Sequence, residues 1–369
     1  MKLSKSIFHF LSLALILSMI MMSCDENPAI VTQQDLLPEA FGVDIPSSIS
    51  DQTLLGGRTE ADTLSGNQVY QHMNTFIAIG EGASDIVESI ILAIRVHNIE
   101  SLQVLSYQSD DDGRIKNMEV LENVEHEGIT WEHQLTITDA DSEANADGGK
   151  AMQVFWSSNP IKGIAIIKPF NIDRLHEAGA GEAIYRVDYS ESGELGYDSH
   201  MEVSISNLPL ADPTIDQYSM QTLRMFAGRK GDVVDVYGNS NHPNAKFFTE
   251  DMGFNWAFTA SGSHASDVGA AEVGLPPSDL NNTNRTTLLE DYSIKNVFTR
   301  QIRTAWPSAT QSMIDAYLHN TDAPGYFDGN GFMSAGMSPG AGWGALAIRL
   351  KALTPYNPLD ISNMVVTFK

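Results

Sequence analysis

The chain has 369 residues, with 47 acidic against 22 basic side chains, a formal net charge of −25, and one cysteine. Contacts to phosphate need clustered Lys and Arg, and the sequence has no such cluster, which excludes nucleic acid as a partner. One cysteine also excludes an internal disulfide and any metal site built on several thiolates, so the fold must rest on its apolar core.

In chain order, Lys2 and Lys5 give a basic start, Ile7 to Met22 an apolar run, and Met21-Met22-Ser23-Cys24 a close to that run at the lone cysteine. The run is about 16 residues, broken by His9, Ser12 and Ser18, and falls short of the roughly 20 that a spanning helix needs. This arrangement resembles the signal peptide and lipobox of bacterial lipoprotein precursors, with Met21 standing where the pattern prefers Leu. The resemblance covers residues 1–24 only. It implies removal of residues 1–23, acylation of the Cys24 thiol, and an aqueous domain held to a membrane of the cell envelope. So acidic a coat suits the outer membrane or cell surface better than the inner membrane.

Residues 24–65 are polar and punctuated by Pro28, Pro38, Pro46, Gly56 and Gly57, the pattern of a tether. Within them Phe41-Gly42-Val43-Asp44-Ile45-Pro46 is apolar enough to dock as a first strand. Over residues 66–98 Val69, Met73, Phe76 and Ile77, then Ile86, Val87, Ile90, Ile91 and Ile94, recur at helical steps, and Gly80 with Gly82 is expected to divide them into a helix pair. The period then becomes two. Strands are expected at 102–108, 115–124, 129–138, 152–157, 163–169, 183–189 and 201–207, an antiparallel meander whose first turn is Asp110-Asp111-Asp112-Gly113. In the third, Ile129, Trp131, His133, Leu135 and Ile137 share a face.

Pro209–Pro213 reads as a break between residues 66–209 and 210–369, the latter continuing the sheet with C-terminal helices either as a second domain or as one domain with the preceding segment. Further strands are expected at 220–227, 233–237, 255–260 and 270–274, helices at 288–304 and 309–319, a Gly-rich stretch from Gly325 to Gly344, and strands at 345–352 and 364–368. The fold class is therefore α+β: a mainly antiparallel meander packed on or curved around an N-terminal helix pair, with a helical and Gly-rich C-terminal part.

Catalytic motifs fail one by one. Gly336-Met337-Ser338-Pro339-Gly340 fits G-x-S-x-G, but Pro339 has no N–H for an oxyanion and no histidine follows His319. His176-Glu177 begins H-E-x-x-H, yet Ala180 stands where the second ligand belongs. Asn239-Ser240-Asn241-His242 and His264-Ala265-Ser266-Asp267 would need two loops to meet. Calcium needs only loop oxygens, and Asp139, Asp141, Glu143, Asn145 and Asp147 alternate ahead of Gly148-Gly149, which makes that loop the candidate cation site. Asp328-Gly329-Asn330-Gly331 is a second oxygen-rich turn. Trp131, Trp156, Tyr185 and Trp256 are read as core, and Trp306 and Trp343 as exposed.

These observations favour an envelope-anchored binding lipoprotein that captures a hydrophobic ligand or an envelope protein, with no catalytic residue assigned and no cofactor other than calcium. The element order is similar to that of periplasmic carriers that hold apolar ligands in an incomplete barrel. The alternatives are an envelope hydrolase with a scattered carboxylate or metal site, and a structural or adhesive surface lipoprotein.

Overall fold

The computed structural model describes residues 38, 40–50, 64–96, 104–176, 179, 181–246 and 252–369. Cys24 and the expected leader lie outside them. The chain is a mixed α/β structure dominated by antiparallel strands, and it divides into two units. The first holds Gly82–Ser192 with Thr367–Lys369 and the stretch up to Gly42; the second holds Val43–Glu81 with Gly193–Val366.

A short helix, α1 (Ser47–Ser50), precedes a two-residue strand, β1 (Leu64–Ser65), and helix α2 (Gly66–Val96). In place of the expected pair, α2 runs unbroken through Gly80 and Gly82. Two glycines cost a helix about 1 kcal/mol each, less than packing of its apolar stripe returns. At Gly80 the lack of a side chain has a use: a Cβ there would lie 2.4 Å from the Met225 methyl.

The first unit is an open meander of β2 (Val104–Gln108), β3 (Ile115–His126), β4 (Ile129–Asp139), β5 (Lys150–Ser158), β6 (Ile161–Ile167) and β7 (Ile184–Ser190), each antiparallel to the next, with a one-turn helix α3 (Pro169–Ile172) after β6. Trp131, Leu135 and Ile137 are buried on one face of β4, as alternation requires. The central strands are buried on both faces: β5 places Val154 and Trp156 on one and Phe155 on the other. Phe41, wholly buried, packs over Gly163, where a Cβ would lie 2.6 Å from the Phe155 carbonyl oxygen and 2.7 Å from the Phe41 ring. The opposite face receives the C-terminus, where the Lys369 N–H donates to Gln153 Oε1 at 2.8 Å.

The second unit continues in the same style with β8 (Ser199–Ser206), β9 (Thr222–Lys230), β10 (Val233–Lys246), β11 (Met252–Ser263) and β12 (Val268–Gly274). Helices α4 (Ile294–Ala305) and α5 (Gln311–Tyr317) lead to β13 (Leu318–His319), which pairs in parallel with β1. A hairpin of β14 (Gly325–Asp328) and β15 (Gly331–Ala335) then extends the sheet from β12, and the chain closes with α6 (Ala341–Leu350) and α7 (Pro358–Ser362). Val43, Ile45 and Ile49 are buried here, but residues 41–46 dock without forming the expected strand.

Two further expectations are corrected. Residues 345–352 are not a strand; they belong largely to α6, because Leu346 and Leu350 fall on one helical face and, with Leu353 just beyond its end, pack on Val268, Ala270 and Tyr326. Residues 364–368 adopt no regular element. The Gly-rich stretch is the β14–β15 hairpin, turned at Asp328–Gly331, together with the start of α6.

Candidate functional site

An oxygen-rich loop joins β4 to β5. Asp139 ends β4, caps a single turn at Ala140–Ser142 by accepting from the Asp141 N–H at 3.1 Å, and has a fully buried side chain. Gly149, at φ 69°, lets the loop close on itself, since a Cβ there would lie 2.6 Å from the Asp139 carbonyl oxygen. Arg114 donates to Asp139 through Nε at 2.7 Å and Nη2 at 2.8 Å, and Lys116 Nζ donates at 3.1 Å. Burial alone would raise the Asp139 carboxyl, but these hydrogen bonds and charges outweigh it and hold the group at about 2.

The other loop residues find separate partners. Asp147 accepts from Lys168 Nζ at 2.9 Å and Asn171 Nδ2 at 3.1 Å, and Glu143 accepts from Asn117 at 2.8 Å. Asp141 is exposed, 3.7 Å from Arg114. Asn145 shapes the turn through its backbone, its N–H donating to the Ser142 carbonyl at 2.9 Å. The loop thus brings Asp139 and Asp141 near Arg114 and sends Asp147 to Lys168. A calcium ion, which sits 2.3–2.6 Å from its oxygens, would have to take Asp139 from Arg114 and Lys116. Among the described residues no three His, Cys, Asp or Glu side chains gather in a group suited to a metal.

The other motifs part in the same way. His242 and His264 lie at opposite ends of the β10–β11 hairpin, where His242 is level with Phe254 and Ser263 with Val233. His176 Nδ1 meets Asp173 Oδ2 at 2.5 Å on an exposed side chain. Ser338 Oγ donates to its neighbour Gly340's carbonyl at 2.8 Å in an exposed loop. Acid pairs on the second unit are engaged as well: Asp235 accepts from Arg349 Nε at 3.0 Å and Ser261 at 2.8 Å, while Glu272 accepts from Arg285 and from Lys351 at 2.7 Å. These pairs fasten α6 and the residues around it to the sheet.

One constellation was not anticipated. On β10, Ser240 and His242 are two residues apart and share a face. His242 Nδ1 lies 2.8 Å from the Tyr218 carbonyl, so that nitrogen carries the proton, and Nε2 accepts from Ser240 Oγ at 2.8 Å. Burial pushes His242 down to about 4 and keeps it neutral. The arrangement has the hydrogen-bond order of a nucleophile and its base. Ser240, however, is 0% exposed, which closes it to any substrate.

Around that dyad stand four rings. Phe76 lies 5.4 Å from His242 and 5.8 Å from Trp256, Phe254 lies 5.4 Å from His242, and His72 lies 5.2 Å from Trp256, measured between centroids. Helix α2 supplies His72 and Phe76 one turn apart, and β11 supplies Phe254 and Trp256 on one face. His72 and Trp256 are only part-buried, so the cluster reaches the surface. Burial, opposed by the Asp216 charge, pushes His72 below its ordinary value. The Trp256 indole Nε1–H is buried and has no hydrogen-bond partner among the described residues. The sequence signal for this cluster was the Phe254, Trp256, Phe258 alternation, which reads equally as core.

Among the described residues no helix is long and apolar enough to cross a membrane. No family model, curated protein or solved structure matches the chain.

Proposed function

We propose that the protein is a binding lipoprotein of the cell envelope, held by acyl chains on Cys24 at the outer membrane or cell surface, and that its second unit captures a hydrophobic ligand at the ring cluster of His72, Phe76, Phe254 and Trp256. The observation that carries this reading is the Trp256 indole N–H, buried among rings with no acceptor among the described residues. An orphaned buried donor costs about 1–3 kcal/mol, and a ligand that offers an acceptor at that nitrogen recovers it. The rings favour an apolar, flat or chain-like body, and the part-exposed His72 and Trp256 give it an approach from solvent. No Lys or Arg belongs to the cluster, which favours an uncharged ligand. The failure of each catalytic motif supports binding over turnover.

The test is mass spectrometry of natively purified protein, wild type beside Trp256→Phe. An apolar compound that accompanies the wild-type chain and is lost or reduced at least tenfold in the variant supports the reading. A clean apo mass for both, with no change in tryptophan emission when lipid extract is added, refutes it.

A further inference from the structure

Of the two tryptophans whose sequence context reads as exposed, Trp343 is part-buried and donates to the Phe327 carbonyl at 2.6 Å, while Trp306 stays 53% exposed. Trp306 closes α4, its N–H donating to the Ile302 carbonyl at 2.7 Å, and Pro307 has no N–H with which to continue the helix. The chain turns back to Thr310, whose side chain accepts from the Met313 N–H and caps α5, and Met313 itself is 62% exposed. Two large apolar side chains thus stand in solvent on a corner of fixed backbone.

The corner's charge is the reverse of the chain's. Between Asp291 and Asp315 no residue is acidic, and Lys295, Arg300 and Arg303 give a net +3, which leaves −28 on the rest of a chain of −25. The apolar residues of α4, Ile294, Val297, Phe298 and Ile302, are buried, while Arg300 and Arg303 share its exposed face with Asn296 and Thr304 and lead up to Trp306. Arg300 donates to the Asp291 carbonyl at 2.8 Å and lies over the Tyr292 ring, and Arg303 donates to Gln311 Oε1 at 2.5 Å. Lys295 is paired with Asp322 at 2.8 Å, but among the described residues neither arginine is paired with a carboxylate.

We infer that this corner docks on the headgroup layer of a bilayer, with Trp306 and Met313 at the boundary of the acyl chains and Arg300 and Arg303 on lipid phosphates. Trp settles at that depth because its ring is apolar and its N–H polar, and cations beside it meet the anionic headgroups. Charge complementarity selects the occupant: the rest of the chain repels an anionic surface, and three cations are too few to hold a nucleic acid. Screening over about 8 Å confines that repulsion to the parts in contact, so an acid-free corner can approach where the acidic coat cannot. The inference rests on the proposed anchor at Cys24 only for keeping a bilayer close. From Cys24 to residue 40 the chain can reach about 50 Å, so acylation alone does not choose the face that meets the lipid.

The test uses the full chain, as purified from its native membrane and as Cys24→Ser, with vesicles of phosphatidylethanolamine and phosphatidylglycerol. In the native form, brominated acyl chains should quench the share of tryptophan emission that Trp306→Phe removes. Cosedimentation of the Cys24→Ser chain with the vesicles should weaken as salt is added, and should drop about thirtyfold in Arg300→Gln/Arg303→Gln, about fivefold for each arginine, with unchanged circular dichroism. An acylated chain whose Trp306 emission is not quenched overturns the inference and leaves the anchor standing. Should the native chain prove unacylated, the anchor fails, and the Cys24→Ser comparison still decides the corner. Equal cosedimentation of the Cys24→Ser chain with and without its two arginines overturns the inference, the outcome expected if the corner instead gripped an acidic protein.

Discussion

Arg114 grips Asp139 in a bidentate pair, Nε to Oδ2 at 2.7 Å and Nη2 to Oδ1 at 2.8 Å, and Lys116 adds a third donor at 3.1 Å on the same fully buried carboxylate. Removing the anion leaves two cations facing each other in a buried corner. Asp139→Asn should therefore cost about 3–5 kcal/mol at neutral pH, read by urea unfolding. The pH profile carries a second signature. The folded carboxyl titrates at about 2, below its ordinary 3.8. The unfolded chain therefore takes up the proton first, and the stability present above pH 4 drains away as pH falls towards 2. That loss is about 2 kcal/mol in the wild type, and the Asn variant should lack it.

His242 acts in a higher window. Its folded value of about 4 lies below the ordinary 6.5, so the unfolded chain again binds the proton first. Stability should fall by about 3 kcal/mol between pH 6.5 and pH 4, before the Asp139 window opens. The Ser240→Ala/His242→Phe double variant should show a flat profile over that range. Ring titration of His242 by NMR near its free-solution value would refute the assignment.

Gly163 tests the docking of the segment before α1. A methyl group there meets the Phe155 carbonyl and the Phe41 ring, so Gly163→Ala should cost about 1–3 kcal/mol by overpacking. Phe41→Ala should relieve the clash, so that the double variant loses less than the two single losses combined. Strict additivity would mean that Phe41 does not rest on this glycine.

These contacts mark how far the sequence could be read. The β4 pattern from Trp131 to Ile137 shows its buried face because one side is apolar and the other mostly polar, and the strands of the meander were legible for that reason. Strand β5 is buried on both faces, so alternation there carries no information about which side meets what. Residues 345–352 were misread because Ala-Leu-Ala-Ile alternates small and large, which mimics a period of two; Leu346, Leu350 and Leu353 carry the true period. The calcium expectation rested on Asp139 and its neighbours as a run of oxygens. It could not see that Arg114, Lys116 and Lys168 would be brought to them from 21 to 25 residues away in sequence. The Trp256 cluster was illegible because it needs α2 and β11 in contact, and nothing local encodes that.

Arg349 should matter as an anchor of α6. It donates to Asp235, which is nearly buried and also accepts from Tyr197 at 3.1 Å. Arg349→Ala leaves that carboxylate short of its cation and should cost about 2–4 kcal/mol. Hydrogen exchange over residues 341–350 should speed up more than exchange in β10. Unchanged protection of α6 would show that Leu346 and Leu350 hold the helix without the ion pair.

The proposed lipid anchor is tested by the intact mass and N-terminal sequence of the chain purified from its native membrane. The expected species begins at Cys24 and carries a diacylglyceryl thioether on that sulfur. A chain that begins at Met1 with a free Cys24 thiol, recovered from the aqueous fraction, would contradict it.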